Sequence, residues 1–153
     1  GHANGQGASR MIINGIAQRM MNNLFLPPLN SEEAGQEVKP LEDTDLIAML
    51  KEAVQESNNE LVQANQRNKS DAGSTLTGFM IVNDHAYIIN VGDSRTYLLR
   101  EGTLYQLTTD HSLVAQLVAG GLIEPDDVYT HPQRSQIFRS LGDKNNVQID
   151  DFK

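Results

Sequence analysis

Val91-Gly92-Asp93-Ser94-Arg95-Thr96-Tyr97-Leu98 stands where a β-rich run breaks and a second short strand begins, so an acidic side chain sits at a strand end. A carboxylate there is well placed to meet a metal ion. It is equally at home in a turn, because Gly tolerates positive φ and Asp and Ser hydrogen-bond their own backbone. Upstream, Thr75, Thr77, Phe79 and Ile81 alternate with Leu76, Gly78, Met80 and Val82, and Asn83-Asp84 turns into a second run from Ala86 to Val91. Downstream, Thr96 to Arg100 resumes the extended pattern, and Glu101-Gly102 turns into Thr103 to Leu107. Segment 73–108 therefore predicts an antiparallel meander with one face to be covered.

The cover comes from a helical layer over 1–68. Ala8, Ile12, Ile16, Met20 and Leu24 recur every four residues, which predicts a helix from about Gly7 to Phe25. Pro27-Pro28 stops it, and the polar, Glu-rich stretch with Gly35 and Pro40 reads as an exposed linker over 27–42. Asp43-Thr44-Asp45 supplies a capping cluster for a second helix that carries Ile47, Leu50, Val54 and Leu61 on one side and runs to about Asn68. After the meander, Ser112 caps a short helix to Val118 that ends at Gly120-Gly121, and Glu124 to Val128 forms a further turn. Gln136 to Leu141 reads as a short strand or turn leading to Gly142, and Val147 to Phe152 as the start of a strand.

Composition narrows the chemistry. The chain has 153 residues, enough for one domain with a real core, and its 39% hydrophobic content argues against wholesale disorder. A net charge of −8 repels nucleic acid and anionic membrane and favours a basic phosphosubstrate. The absence of cysteine excludes a disulfide framework and a cysteine phosphoenzyme, and is compatible with a cytoplasmic location. No apolar run approaches the roughly 18 residues of a membrane span.

Four further motifs accompany Gly92-Asp93-Ser94-Arg95: Gly73-Ser74-Thr75, then Leu107-Thr108-Thr109-Asp110-His111-Ser112-Leu113-Val114, then His131-Pro132-Gln133-Arg134, then Ile137-Phe138-Arg139-Ser140-Leu141-Gly142. In that order and at those spacings they resemble the metal-dependent PPM (PP2C-type) serine/threonine protein phosphatases, most closely the compact bacterial members. Gly1-His2-Ala3-Asn4 resembles the end of the family segment Asp-Gly-Met-Gly-Gly-His, which runs into the first long helix. The resemblance implies an α+β fold, a sandwich of antiparallel sheets flanked by helices, of which this chain is an internal part incomplete at both ends. It also implies hydrolysis of phosphoserine or phosphothreonine in proteins, with Mn2+ or Mg2+ in the intact domain. The phosphate-gripping arginine and the metal-bridging Asp-Gly of the family lie before this segment, and its Asp-Gly and Asp-Asn motifs lie after Lys153. The expectation is accordingly that the segment alone is inactive and associates with itself. The rival is a non-catalytic phosphatase-like domain that binds a phosphoprotein, a serine/threonine kinase or a second copy.

Carried over by resemblance, Asp93 belongs to a peripheral metal ion beside the binuclear pair. His2 is a weaker candidate for a general acid near the bridging Asp. Asp110 and His111 are adjacent, so in a strand they point to opposite faces and do not form a base and its orienting carboxylate. They read as structural, as do His131 and Arg134 beside Pro132 and the motif residues Gly73, Ser74, Thr75, Gly92, Ser94, Arg95 and Gly142. Segment 112–134 corresponds to the flap beside the family's active site, where the substrate is expected. Two decoys fall away. Asp143-Lys144-Asn145-Asn146-Val147 opens like a calcium loop but has an apolar fifth position and lacks the glycine at the sixth. Gly1 to Gly7 lacks the Gly-Lys-Ser/Thr ending of a phosphate cradle.

Overall fold

A computed structural model of the chain describes residues 4–25 and 41–153. His2 and almost all of the expected linker lie outside the described residues. Helix α1 spans Gly5–Phe25 and packs against α2, Asp43–Asn68. The four-residue stripe marks the inward face of α1: Ala8 and Ile12 are buried, and Ile16 and Met20 pack against the same core. Helix α2 is capped one residue earlier than the acidic cluster suggests. Glu42 is the N-cap, its side chain accepting from the backbone N–H of Asp45 while the Asp45 carboxylate accepts from the Glu42 N–H. The helix ends at Lys69, whose left-handed backbone (φ 50°) returns its N–H to the Asn65 carbonyl.

Strands β1 (Leu76–Val82) and β2 (His85–Val91) form the expected hairpin, with Leu76 opposite Val91 and Val82 opposite His85. The meander does not continue from there. Among the described residues, strands β3 (Tyr97–Arg100) and β4 (Thr103–Gln106) pair only with each other, and the free edge of β2 is taken by β5 (Asp150–Phe152), with Asn90 opposite Asp150. The strand order β1-β2-β5 results from the turn at Gly92, which sends the chain away from β2 before β3 begins. The segment 136–141, expected as a short strand or turn, forms no strand and pairs through two isolated bridges, Ser112 with Ile137 and Ser74 with Leu141. Helix α3, Leu113–Ala119, starts at Ser112, whose side chain accepts from the Ala115 N–H, and a single 3-10 turn covers Pro125–Tyr129.

One face of the β1-β2-β5 sheet meets the helices. Leu76, Ile89 and Val91 join Leu50, Val54 and Leu61 of α2 and Leu141 in one apolar core, with Met80 packed against it. On the opposite face Phe79 and Ile81 are 64% and 67% exposed, so that side of β1 is an open apolar surface.

The core also holds a polar seam that periodicity does not announce. Asn58 and Asn65 of α2 are buried in phase with Leu61. Asn65 Nδ2 donates to the carbonyls of Ala72 (2.7 Å) and Gly142 (3.1 Å), and its Oδ1 accepts from Ser70 Oγ and from the Ala72 N–H. Asn58 Oδ1 accepts from the Gly142 N–H at 2.8 Å, and its Nδ2 donates to the Lys144 carbonyl. Removing one such side chain leaves main-chain groups unpaired inside the protein, at about 1–3 kcal/mol for each group. Asn65→Ala should therefore lower the urea midpoint by an amount equivalent to about 3 kcal/mol. A loss below about 0.5 kcal/mol in equilibrium unfolding would show that the seam does not hold the two turns.

Candidate functional site

The segment that follows β2 is held more firmly than a surface turn. Gly92 has φ +106°, and a Cβ placed there would lie 2.4 Å from Thr75 Cγ2, so the position requires glycine on two counts. Its N–H donates to His111 Nδ1 at 2.9 Å, and its carbonyl accepts from the His111 backbone N–H at 2.9 Å. Ser94 Oγ meets Thr75 Oγ1 at 2.7 Å, and Thr96 Oγ1 meets Thr77 Oγ1 at 2.6 Å, which ties the outgoing chain to β1. Between these anchors the half-buried Asp93 carboxylate makes no hydrogen bond or ion pair to any described residue. It does not cap the turn amides.

Asp110 and His111 have separate partners. Asp110 takes the Arg95 guanidinium on both oxygens, Nε to Oδ1 at 2.9 Å and Nη2 to Oδ2 at 2.7 Å, and this pairing, with a lesser contribution from Tyr97, raises the Arg95 pKa further. The buried His111 finds its carboxylate on β5, with Nε2 2.8 Å from Asp150 Oδ2. Because Nδ1 accepts from Gly92, the neutral ring carries its proton on Nε2 and gives it to Asp150. Arg139 Nη1 donates to the other oxygen of Asp150 at 2.8 Å. Its 2.9 Å approach to His111 Nε2 is then a meeting of two donors held by the same carboxylate. Burial raises the Asp150 pKa, but hydrogen bonds and charge from His111 and Arg139 outweigh it and hold the carboxyl below its ordinary range.

The remaining motif residues settle around the second turn or apart from the site. Ser74, next to Gly73, exchanges both main-chain hydrogen bonds with Leu141. Gly142 has φ +96°, and a Cβ there would fall 2.5 Å from the Ala72 carbonyl oxygen. His131 Nδ1 accepts from the Gln133 N–H and its carbonyl from the Arg134 N–H, so these residues close their own loop. Between the β3–β4 hairpin and segment 112–134 lies an open cleft of about 360 Å³, lined by Arg95, Thr109, Asp110, Val118 and Tyr129 among others. Asp150, Asn58 and Asn65 are not singled out by the sequence, and Arg139 enters it only as a member of the motif from Ile137 to Gly142, without a role of its own. The asparagines did carry a signal, since polar residues recur there in phase with the apolar face of α2.

Comparison with known proteins identifies the relatives of this chain. Residues 7–116 match the model of the protein phosphatase 2C family. The chain belongs to that family. It is 36% identical over 110 residues to the serine/threonine phosphatase stp of Listeria monocytogenes serovar 1/2a, covering 71% of this chain and 44% of that protein. It is 35% identical over 144 residues to the serine/threonine protein phosphatase PstP of Mycobacterium tuberculosis, covering 92% of this chain and 24% of that protein. The crystal structure of a bacterial serine phosphatase superimposes with a TM-score of 0.81 at 27% identity, over 99% of this chain and 56% of the other. The M. tuberculosis PstP structure gives 0.71 at 32% identity, over 99% of this chain and 58% of the other. The chain thus spans less than half the length of these sequence relatives.

A PstP catalytic domain has been crystallised with two manganese ions. In the present protein phosphatase 2C segment, the donor chemistry at Asp93 suits such an ion: a free carboxylate, half-buried, on a loop whose backbone is already fixed. Among the described residues no group of three or more His, Asp or Glu is arranged to hold a metal.

The Asp150 network has a pH signature. Its lowered carboxyl pKa stabilises the fold above the unfolded value of about 3.9, and this contribution disappears as pH falls through the folded value. Asp150→Asn should be less stable than the unsubstituted chain at neutral pH, and the gap should narrow steadily below about pH 4. A gap independent of pH in urea titrations would mean that the carboxylate's charge contributes nothing to folding.

Proposed function

We propose that this chain is the central part of a metal-dependent protein phosphatase that hydrolyses phosphoserine and phosphothreonine in proteins, with Asp93 serving a peripheral Mn2+ or Mg2+ ion. Family membership supports the reaction class, and the Asp93 carboxylate, without a partner among the described residues, supports the role of the residue. When bound, divalent ions supply charge neutralisation at the phosphoryl group and activation of the attacking water. The chain's own contributions are to aim Asp93, through the fixed backbone of Gly92, and to border the substrate approach with the cleft between the hairpin and segment 112–134. The net charge of −8 favours phosphosites flanked by basic residues.

A single carboxylate holds a hard cation weakly, so the 153-residue chain alone is proposed to be inactive. The open apolar face at Phe79 and Ile81 favours association between copies of the isolated chain. Phosphorylated proteins and a serine/threonine kinase are the proposed partners and the cytoplasm the proposed location, with which the absence of cysteine is compatible.

The test belongs in the full-length protein, with phosphopeptide turnover measured across a Mn2+ titration. Asp93→Asn keeps the size of the side chain and removes its charge. Turnover at limiting Mn2+ should fall on the order of tenfold or more, with a higher Mn2+ concentration needed for saturation. Unchanged turnover and unchanged Mn2+ dependence would remove Asp93 from the metal site. Absence of any metal-dependent turnover in the unsubstituted protein would favour a phosphatase-like binding domain.

A further inference from the structure

We infer that His111, oriented by Asp150 and Arg139, is a positioning residue that aims the Asp93 carboxylate by clamping the Gly92 main chain. The inference rests on the assignment of Asp93 to a divalent cation. Gly92 precedes Asp93 directly, and its two polar groups lie in the two peptide planes on either side of its Cα. With the N–H bonded to His111 Nδ1 and the carbonyl to the His111 N–H, one residue holds both planes, and Asn90 Nδ2 adds a longer contact to the same carbonyl at 3.4 Å. That fixes φ and ψ at the position where glycine would otherwise be freest. The direction in which the chain presents Asp93 follows from it.

The clamp also closes on itself. His111 Nε2 donates to Asp150, and Asp150 lies on β5 opposite Asn90, two residues before Gly92 on β2. Arg139 fills the second oxygen of Asp150, and the Phe138 ring lies 6.0 Å from the imidazole. A shift of the ring therefore strains the same strand that leads into the loop. His111 itself is unsuited to proton transfer: the ring is buried, its Nδ1 lone pair is taken by Gly92 and its Nε2 proton by Asp150. Its influence reaches the cation through the geometry of Asp93. Partners of this kind, which orient a metal ligand without touching the ion, change metal affinity by about 10-fold to 100-fold when removed.

The experiment uses this chain, 15N-labelled, with Mn2+ as a paramagnetic probe. Long-range proton–nitrogen spectra should show the Nε2–H tautomer of His111, and an Nδ1–H tautomer would overturn the clamp without any substitution. Trace Mn2+ should broaden the amides of 92–94 selectively, and Asp93→Asn should abolish this. Persistence of the broadening in Asp93→Asn would defeat the metal assignment, and the inference with it. If Asp93→Asn abolishes the effect, His111→Leu should raise the Mn2+ concentration for half-broadening about 10-fold. His111→Asn, whose Oδ1 replaces Nδ1 as the acceptor for Gly92, should recover most of that loss. Equal Mn2+ dependence in folded His111→Leu and in the unsubstituted chain would reject the positioning role while leaving the Asp93 assignment intact. Should His111→Leu fail to fold, Asp150→Ala takes its place, with the same expected shift and the same contrary result.

Discussion

The N–H and the carbonyl of Gly92 both end on His111, and much of the architecture around the site depends on that pair of hydrogen bonds. It terminates β2, turns the chain out of the sheet and leaves the edge of β2 free for β5. It brings the start of α3 against the strand, since Ser112 caps that helix immediately after His111. The imidazole is buried, so each of its nitrogens needs a partner, and an unpaired one would cost about 1–3 kcal/mol. Gly92 and Asp150 are those partners.

A second glycine turn is built on the same plan. The N–H of Gly142 is taken by the Asn58 side chain and its carbonyl by the Asn65 side chain, whereas Gly92 donates its N–H to the His111 ring and its carbonyl accepts from the His111 backbone N–H; both glycines have positive φ. The Ser74–Leu141 bridge joins the two regions, because Ser74 directly precedes Thr75, which packs on Gly92. Buried polar networks of this type contribute less by net energy than by admitting only one arrangement. Here that arrangement leaves the Asp93 carboxylate without a partner among the described residues.

Legibility in the sequence followed the range of the interactions. The helices were readable because their signal is local: the stripe Ala8, Ile12, Ile16 gives the buried side of α1, and the alternation from Thr75 to Val82 gives β1. Even the cap of α2 was displaced by only one residue, since Asp45 takes part in it from the third helical position. The continuous meander failed because whether β3 pairs with β2 is decided by the backbone at Gly92 and by competition from β5, more than fifty residues later. Asp150 was invisible for the same reason, lying 39 residues from the histidine it orients. On strand geometry Asp110 and His111 form no dyad; they do have separate partners, although they lie outside any strand, with Asp110 on Arg95 and His111 on Asp150.

Amide hydrogen exchange at Gly92 tests the central claim most directly. A glycine N–H in a solvent-facing turn exchanges within the range of local fluctuations, whereas one bonded to a buried imidazole opens only with the surrounding sheet. The account predicts that the Gly92 amide is protected to the level of Ile89 and Val91 in β2, while the neighbouring Asp93 amide exchanges faster. Exchange of Gly92 at the rate of the Glu101-Gly102 hairpin turn would contradict the clamp, and with it the argument that Asp93 is held in place for a cation.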